Sequence, residues 1–438
     1  MNIYQETMYQ IYPIGFCGAP KQNDGIITAR IRKIAEWSDH LEKLGIGSII
    51  LNPIFESDYH GYDTRDYLTI DCRLGSNDDF TFVCNKLHKA GIKVILDGVF
   101  NHVGRGFWAF QDVLKNRDKS NYKDWFYLNF DGNNAYNDQL WYEGWEGHFE
   151  LVKLNLKNPC VVNHLLDCVK FWIEEFEIDG LRLDVAYSLD HDFLRSLRSF
   201  CKVLKPDFCL IGEVLFGDYN QIVNEDMLDS CTNYEVYKGI HSSFNSINMF
   251  EISYSLNRQY GNENWCLYRG KHLMNFVDNH DVTRIASILT NDKHLPLVYG
   301  MLFTIPGIPC IYYGSEWGVR GEKTPQNDYD LRPNFKVPEW NNLTTWIQTL
   351  SAIFERHEAL SNGSFTNILV TNQQYIYERK TDKQRILIAI NSVDQPYQAN
   401  HGAVNGTFID LTDANSKQLN LTGTLRMPPY SIQILKEV

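Results

Sequence analysis

Short apolar runs alternate with longer stretches of helical period through most of the chain. Apolar runs at 8–14, 46–51, 93–100, 180–185, 208–214, 232–237, 273–277 and 308–313 are each bounded by Gly, Pro, Asn or Asp. Such runs predict buried strands of a parallel sheet. Amphipathic segments lie between most of them, at 28–44, 77–90, 159–176, 190–204, 240–260 and 293–303. Eight strands alternating with helices predict an α/β fold, a (β/α)8 TIM barrel formed by 1–102 and 159–360.

Two segments break this rhythm. Residues 103–158 are rich in Trp, Tyr, Asn, Asp and Gly without a clear helical period, and read as an insertion domain after the third strand. Loops of that length inside a compact domain are usually functional. From 361 to 438 the pattern turns to short alternating runs such as Tyr375–Ile376–Tyr377 and Ile432–Gln433–Ile434–Leu435. Turn residues separate them, which predicts a C-terminal antiparallel β domain of sandwich type.

Composition narrows the partners. A length of 438 residues fits a large barrel plus one smaller domain, and 44% hydrophobic with 22% charged residues suits a soluble globular protein. The formal net charge of -13 argues against a nucleic-acid partner, which demands a basic footprint. It leaves a neutral substrate such as a sugar open. No apolar stretch approaches the roughly 20 residues that span a bilayer, so no membrane partner is expected. No basic segment followed by an apolar run opens the chain, and the expected location is the cytoplasm. None of the 10 cysteines falls in a Cys-x-x-Cys pair, which removes the usual zinc and redox spacings. Reduced core thiols in a reducing compartment are the expectation.

The active site of such a barrel lies at the C-terminal ends of its strands. The third strand ends in Asp97–Gly98–Val99–Phe100–Asn101–His102 and the fifth in Glu213. The seventh runs into Asp278–Asn279–His280–Asp281. In Gly180–Leu181–Arg182–Leu183–Asp184 the side chains alternate, so Arg182 and Asp184 share the face opposite the two leucines. Each piece alone is weak: an Arg and an Asp two apart are more often a structural ion pair, and a Glu after an apolar run is commonly a helix start. Convergence changes the balance, because burying unpaired charge at every strand tip is costly and one shared site explains all of it. Carboxylates, an arginine and two histidines suit glycoside hydrolysis, which needs one carboxylate as nucleophile or base and one carboxylic acid.

Six ordered segments resemble the α-amylase family, glycoside hydrolase family 13. They are Asn52–Pro53–Ile54–Phe55 leading to Gly61–Tyr62–Asp63–Thr64–Arg65–Asp66–Tyr67, then 97–102, 180–186, 212–214, 276–281 and 307–314. The resemblance implies Asp184 as nucleophile, Glu213 as acid/base and Asp281 as the third active-site carboxylate. It implies that Arg182 orients Asp184, that His102, His280 and Asp97 serve the sugar that becomes the glycosyl-enzyme, and that Tyr62 stacks on that ring. Asp328, Asp330 and Arg332 resemble a segment that contacts sugar further from the cut. Leu151–Val152–Lys153–Leu154–Asn155 resembles the short motif of the cyclomaltodextrinase, neopullulanase and maltogenic amylase group. That group's N-terminal domain is not expected, since the first barrel strand begins almost at Met1. Tyr187–Ser188 stands where many α-amylases carry Lys–His, which points away from a starch endo-amylase.

The implied activity is retaining cleavage of α-1,4-glucosidic bonds in an oligosaccharide such as a maltooligosaccharide or cyclodextrin, with no cofactor required. Asn101 matches a calcium ligand of many family members and is the candidate for a structural Ca²⁺. Three other classes stay open. A transglycosylase would use the same carboxylates. A non-catalytic sugar-binding relative would be expected to lack one of them. A metal-dependent barrel hydrolase would use His102 and His280 as ligands and leave Arg182 unexplained.

Overall fold

The computed structural model describes residues 3–325, 328–413 and 417–438. Eight parallel strands form one sheet: β1 (Thr7–Ile11), β2 (Ile46–Leu51), β3 (Lys93–Gly98), β4 (Gly180–Leu183), β5 (Cys209–Gly212), β6 (Ser230–Cys231), β7 (Met274–Phe276) and β8 (Ile308–Tyr312). Their order is β6-β5-β4-β3-β2-β1-β8-β7. A parallel bridge between Thr232 and Met274 joins the two edges and closes the TIM barrel. Asn233 N–H donates to the Met274 carbonyl at 2.9 Å in the same join.

Period-two alternation divides each strand between two environments. Met8, Ile50, Ile95, Cys209, Ile211, Met274, Phe276, Ile308 and Cys310 fill the barrel interior. Tyr9, Ile49, Leu51, Val94, Leu96, Leu181, Leu183 and Leu210 point outward into the larger core beneath the helices. The inward face turns polar toward the C-terminal ends, where Gln10, Asn52, Asp97 and Glu213 follow those apolar residues at even spacing, Arg182 follows Gly180, and all five are buried.

The sixth strand departs from the sequence expectation. The 232–237 run is the start of a helix, Tyr234–Ser246, capped by the Asn233 side chain, which accepts the Val236 N–H. An N-cap that satisfies an orphan donor outweighs the strand-like apolar spacing. The expected 240–260 helix is two helices, Tyr234–Ser246 and Met249–Tyr260, broken where Ile247 takes a φ of 49°.

The insertion is more ordered than its composition suggests. It holds a helix, Trp108–Asn116, with Ala109, Phe110 and Val113 buried. A three-stranded antiparallel sheet combines His102–Gly104, Gly144–Trp145 and His148–Lys153. Pairing of Lys153 with His102 and Val152 with Val103 ties the insertion to the rim just beyond β3.

The C-terminal strands β9 (Ser364–Val370), β10 (Gln374–Lys380), β11 (Arg385–Asn391), β12 (Tyr397–Asp410), β13 (Gln418–Met427) and β14 (Ser431–Glu437) make one antiparallel sheet. One face, with Tyr375, Tyr377, Ile386, Ile388 and Ile434, merges with the barrel core. The other, with Ile376, Leu387, Phe408, Leu425 and Leu435, buries its own cluster. All ten cysteines are free thiols. Among the described residues no helix is long and apolar enough to cross a membrane.

Candidate active site

The polar ends of neighbouring strands meet on one guanidinium. Arg182 Nη1 donates to Asp97 Oδ1 at 2.9 Å and Oδ2 at 2.7 Å, and to Asp184 Oδ1 at 3.0 Å. Its Nη2 lies 2.8 Å from Glu213 Oε1. The register explains this meeting, since Arg182 is level with Asp97 on one side and Ile211 on the other. Asp184 and Glu213 each stand one position past a strand end, with backbone N–H groups on the Gly98 and Leu183 carbonyls. Glu213 Oε2 also accepts the Val185 N–H at 3.1 Å.

A second cluster adjoins the first. Asp281 Oδ1 accepts from Arg332 Nη2 and Oδ2 from His280 Nε2, both at 3.0 Å. Its backbone N–H is held by Asn279 Oδ1 at 2.8 Å. The Asp281 side chain is about one third exposed, at 34%, whereas Asp184 and Glu213 are at 7% and 10%. Gln10 Nε2 lies 3.2 Å from His280 Nδ1; an amide donor there fixes the ring proton on Nε2, facing Asp281 and Tyr62. The Tyr62 hydroxyl donates to Asp97 Oδ2 at 3.2 Å and its ring stacks on His280 at 5.8 Å between centroids. Arg332 also donates from Nε to the His280 carbonyl at 3.2 Å and lies 4.4 Å over the Tyr12 ring. Asp328 sits 3.6 Å from Arg332.

His102 completes the Asp184 side. Its Nε2 is 3.9 Å from Asp184 Oδ2, and Asn101 Nδ2 donates to its Nδ1 at 3.1 Å. Burial, with His60 adding to it, drives the ring down to about 3, so it is neutral at ordinary pH.

Charge is unevenly shared. Burial pushes the Asp184 carboxyl well above the ordinary range, Glu213, Asp97 and Asp281 push the same way, and Arg182 opposes them. Burial also acts on Asp281, but His280, Arg332 and Arg182 outweigh it and hold that carboxyl low. Four carboxylates face two arginines, so the cluster carries a shared proton more readily than four full charges.

All nine sequence-derived sugar-site residues, Tyr62, Asp97, His102, Arg182, Asp184, Glu213, His280, Asp281 and Arg332, fall in this one connected network. Gln10 and Asn52 were missed, although their inward, even-spaced positions on β1 and β2 marked them. Asn52 Nδ2 reaches Tyr62 Oη at 3.0 Å and Asp97 Oδ2 at 3.2 Å. Trp145 was also missed. Its ring lies 5.8 Å from that of His102, a meeting that depends on how the insertion folds back and leaves no mark in the sequence.

The Asn101 side-chain amide nitrogen is given to His102, and its backbone carbonyl accepts the Leu154 N–H at 3.0 Å. Calcium takes six to eight oxygen ligands. The one group of three His, Cys, Asp or Glu residues at ligand spacing among the described residues is Glu56, Asp71 and Cys72. Those carboxylates already accept from Asn23, Ser57 and Arg73. Among the described residues that group does not include a neighbour of Asn101 in the chain, and nothing below is routed through a metal.

The family model of the α-amylase catalytic domain matches residues 10–342. The chain belongs to the α-amylase family. It is a glycoside hydrolase of that family, similar to the cyclomaltodextrinase of Thermoanaerobacter pseudethanolicus, 32% identical over 98% of this chain and 77% of that one. It also resembles the maltogenic α-amylase of Bacillus acidopullulyticus, 30% identical over 98% of this chain and 76% of the relative. Among solved structures, the cyclic α-maltosyl-(1→6)-maltose hydrolase of Arthrobacter globiformis superimposes with a TM-score of 0.83. It is 25% identical, and the match covers 100% of this chain and 99% of that one. The α-amylase fold thus accounts for the barrel and for the C-terminal sheet.

Proposed function

We propose that this α-amylase family member is an α-glucan hydrolase that cleaves α-1,4-glucosidic bonds of maltooligosaccharides or cyclodextrins with retention, through a covalent glycosyl-enzyme. The observation that carries the reading is the single guanidinium of Arg182 shared by Asp97, Asp184 and Glu213. A structural ion pair needs one carboxylate per cation; this arrangement holds two reactive carboxylates side by side at a strand-end rim, as two-carboxylate glycoside chemistry demands. The named activities of the relatives favour an α-glucan as the substrate.

In this mechanism Asp184 attacks the anomeric carbon with Oδ2, since Oδ1 is occupied by Arg182. Glu213 acts as the acid that gives a proton to the departing glycosidic oxygen. The second step reverses the roles: Glu213 takes a proton from water, and the water displaces Asp184. His102 and His280 offer Nε2–H groups to sugar hydroxyls. Asp281, pinned by Asn279 and Arg332, holds hydroxyls of the ring as it flattens. Tyr62 lies against the ring's apolar face. The insertion of 103–158 forms one wall of the cleft over the barrel of 1–102 and 159–360, with 361–438 as the separate β domain. The free thiols suit a reducing cell interior.

A panel of maltotriose, β-cyclodextrin, pullulan and amylose tests this, with products separated by chromatography and the first-formed anomer read by proton NMR. Glucose and maltose with the α-anomer first are expected. The β-anomer first would refute retention, oligosaccharides longer than the substrate would mean transfer in place of hydrolysis, and no cleavage of any member would remove the substrate class.

A further inference from the structure

Two buried nitrogen donors next to each other have no hydrogen-bond partner among the described residues: His102 Nε2 and Trp145 Nε1. Asn101 Nδ2 lies 3.1 Å from His102 Nδ1; with that amide as donor the ring proton sits on Nε2, and both atoms are then N–H groups in want of an acceptor. Leaving buried donors unpaired is costly, and such pairs in a native fold call for a reason. Their rings lie 5.8 Å apart, on the side of the cleft where His102 approaches Asp184 Oδ2 at 3.9 Å.

Trp145 stands at the tip of a hairpin in the insertion. It pairs with His148 and stacks on that ring at 5.7 Å. The two residues between them, Glu146 and Gly147, have φ of 47° and 88°. A glutamate in that left-handed position is disfavoured. The tip meets the barrel through the ring contact of Trp145 with His102 and through one long hydrogen bond, Tyr187 Oη to Glu146 Oε1 at 3.3 Å. Tyr187 lies three residues past Asp184, so the tip reaches across the reacting end of the cleft.

We propose that Trp145 is a sugar-contacting, specificity-determining residue carried on a hairpin tip that lifts to admit the substrate. When the sugar seats on His102 and Asp184, adjacent hydroxyl oxygens accept from Trp145 Nε1–H and His102 Nε2–H together. The ligand is the pyranose unit on the Asp184 side, with vicinal hydroxyls spaced for two neighbouring donors. This rests on the glucan reading above and adds the insertion's own contribution to it.

Trp145→Phe keeps an aromatic ring at the position and removes the indole N–H together with part of the ring area. With maltotriose as substrate, kcat/KM is expected to fall about 3- to 10-fold, mainly through a raised KM, with an unchanged melting temperature. In Asp184→Asn protein, which holds maltotriose uncleaved, the indole N–H resonance absent from the Trp145→Phe spectrum should move downfield and exchange more slowly on titration. Unchanged KM and kcat in Trp145→Phe overturn the proposal. So does an indole resonance that stays still while others in the cleft move. If the wild-type enzyme leaves maltotriose intact and no indole resonance moves, the substrate reading has failed and this inference falls with it.

Discussion

Arg73 and Arg182 are both shut away from solvent beside acidic side chains, yet they are wired differently. Arg73 gives Nε and Nη2 to the two oxygens of Asp71 at 2.8 and 2.7 Å. Its remaining donors go to the Ser57 hydroxyl and to the carbonyls of Pro20, Lys21 and Tyr59. One cation meets one carboxylate, and every nitrogen is used. Arg182 instead divides itself among three carboxylates. The first pair stitches the loops after β1 and β2 together; the second leaves negative charge in excess, as a site that must move a proton and stabilise a cationic sugar requires. A buried arginine with acidic neighbours is therefore not diagnostic by itself. The ratio of carboxylates to cations is.

That contrast can be broken in several places. The largest effect is expected at Asp184: Asp184→Asn should lower kcat on maltotriose by about 10⁴-fold or more while the melting temperature holds. Residual turnover near the wild-type rate would remove the nucleophile assignment. Next is Asp71→Asn, which leaves Arg73 buried without its counter-charge. It should cost about 3 kcal/mol in urea unfolding with kcat within twofold of wild type. Asp97→Asn should act in the opposite sense, raising stability by about 1 kcal/mol because it thins the crowded charge, while reducing activity. Loss of stability at both positions would mean that the Arg182 cluster is merely structural.

A further break concerns pH. His102 is held at about 3 in the fold against an ordinary 6.5. Below 6.5 the unfolded chain takes up a proton there that the folded chain refuses, so stability is lost as pH falls from about 6.5 towards 3. Melting temperatures across that window should decline less steeply in His102→Gln; parallel slopes would show that the ring titrates normally.

Much of this was legible in the chain. Six of the eight strands lie within the apolar runs and β1 starts one residue before its run, because a strand buried on both faces must be apolar at nearly every position, and the exceptions at its tip are the site. Arg182 and Asp184 were readable as a pair for the same reason. The sixth strand was not, since β6 has only two residues and Tyr234 and Val236 mimic its spacing while serving a capped helix. The helix at Trp108–Asn116 has a narrow buried face, too short a signal amid aromatic and polar residues. Trp145 was invisible for a different reason: its importance comes from a contact between the insertion and the barrel rim that no local pattern encodes.

The join between β6 and β7 has a mechanical consequence. Every other seam of the cylinder is a ladder, but this one is a single bridge at Thr232 and Met274, riveted by Asn233, whose amide donates to Gln259 Oε1 and Asn275 Oδ1. A hoop fastened at one point gives first at its clasp. Asp281 follows β7 at one side of that clasp and Glu213 follows β5, one stave beyond the other side, so the span between these two carboxylates crosses the most sparsely bonded seam of the cylinder.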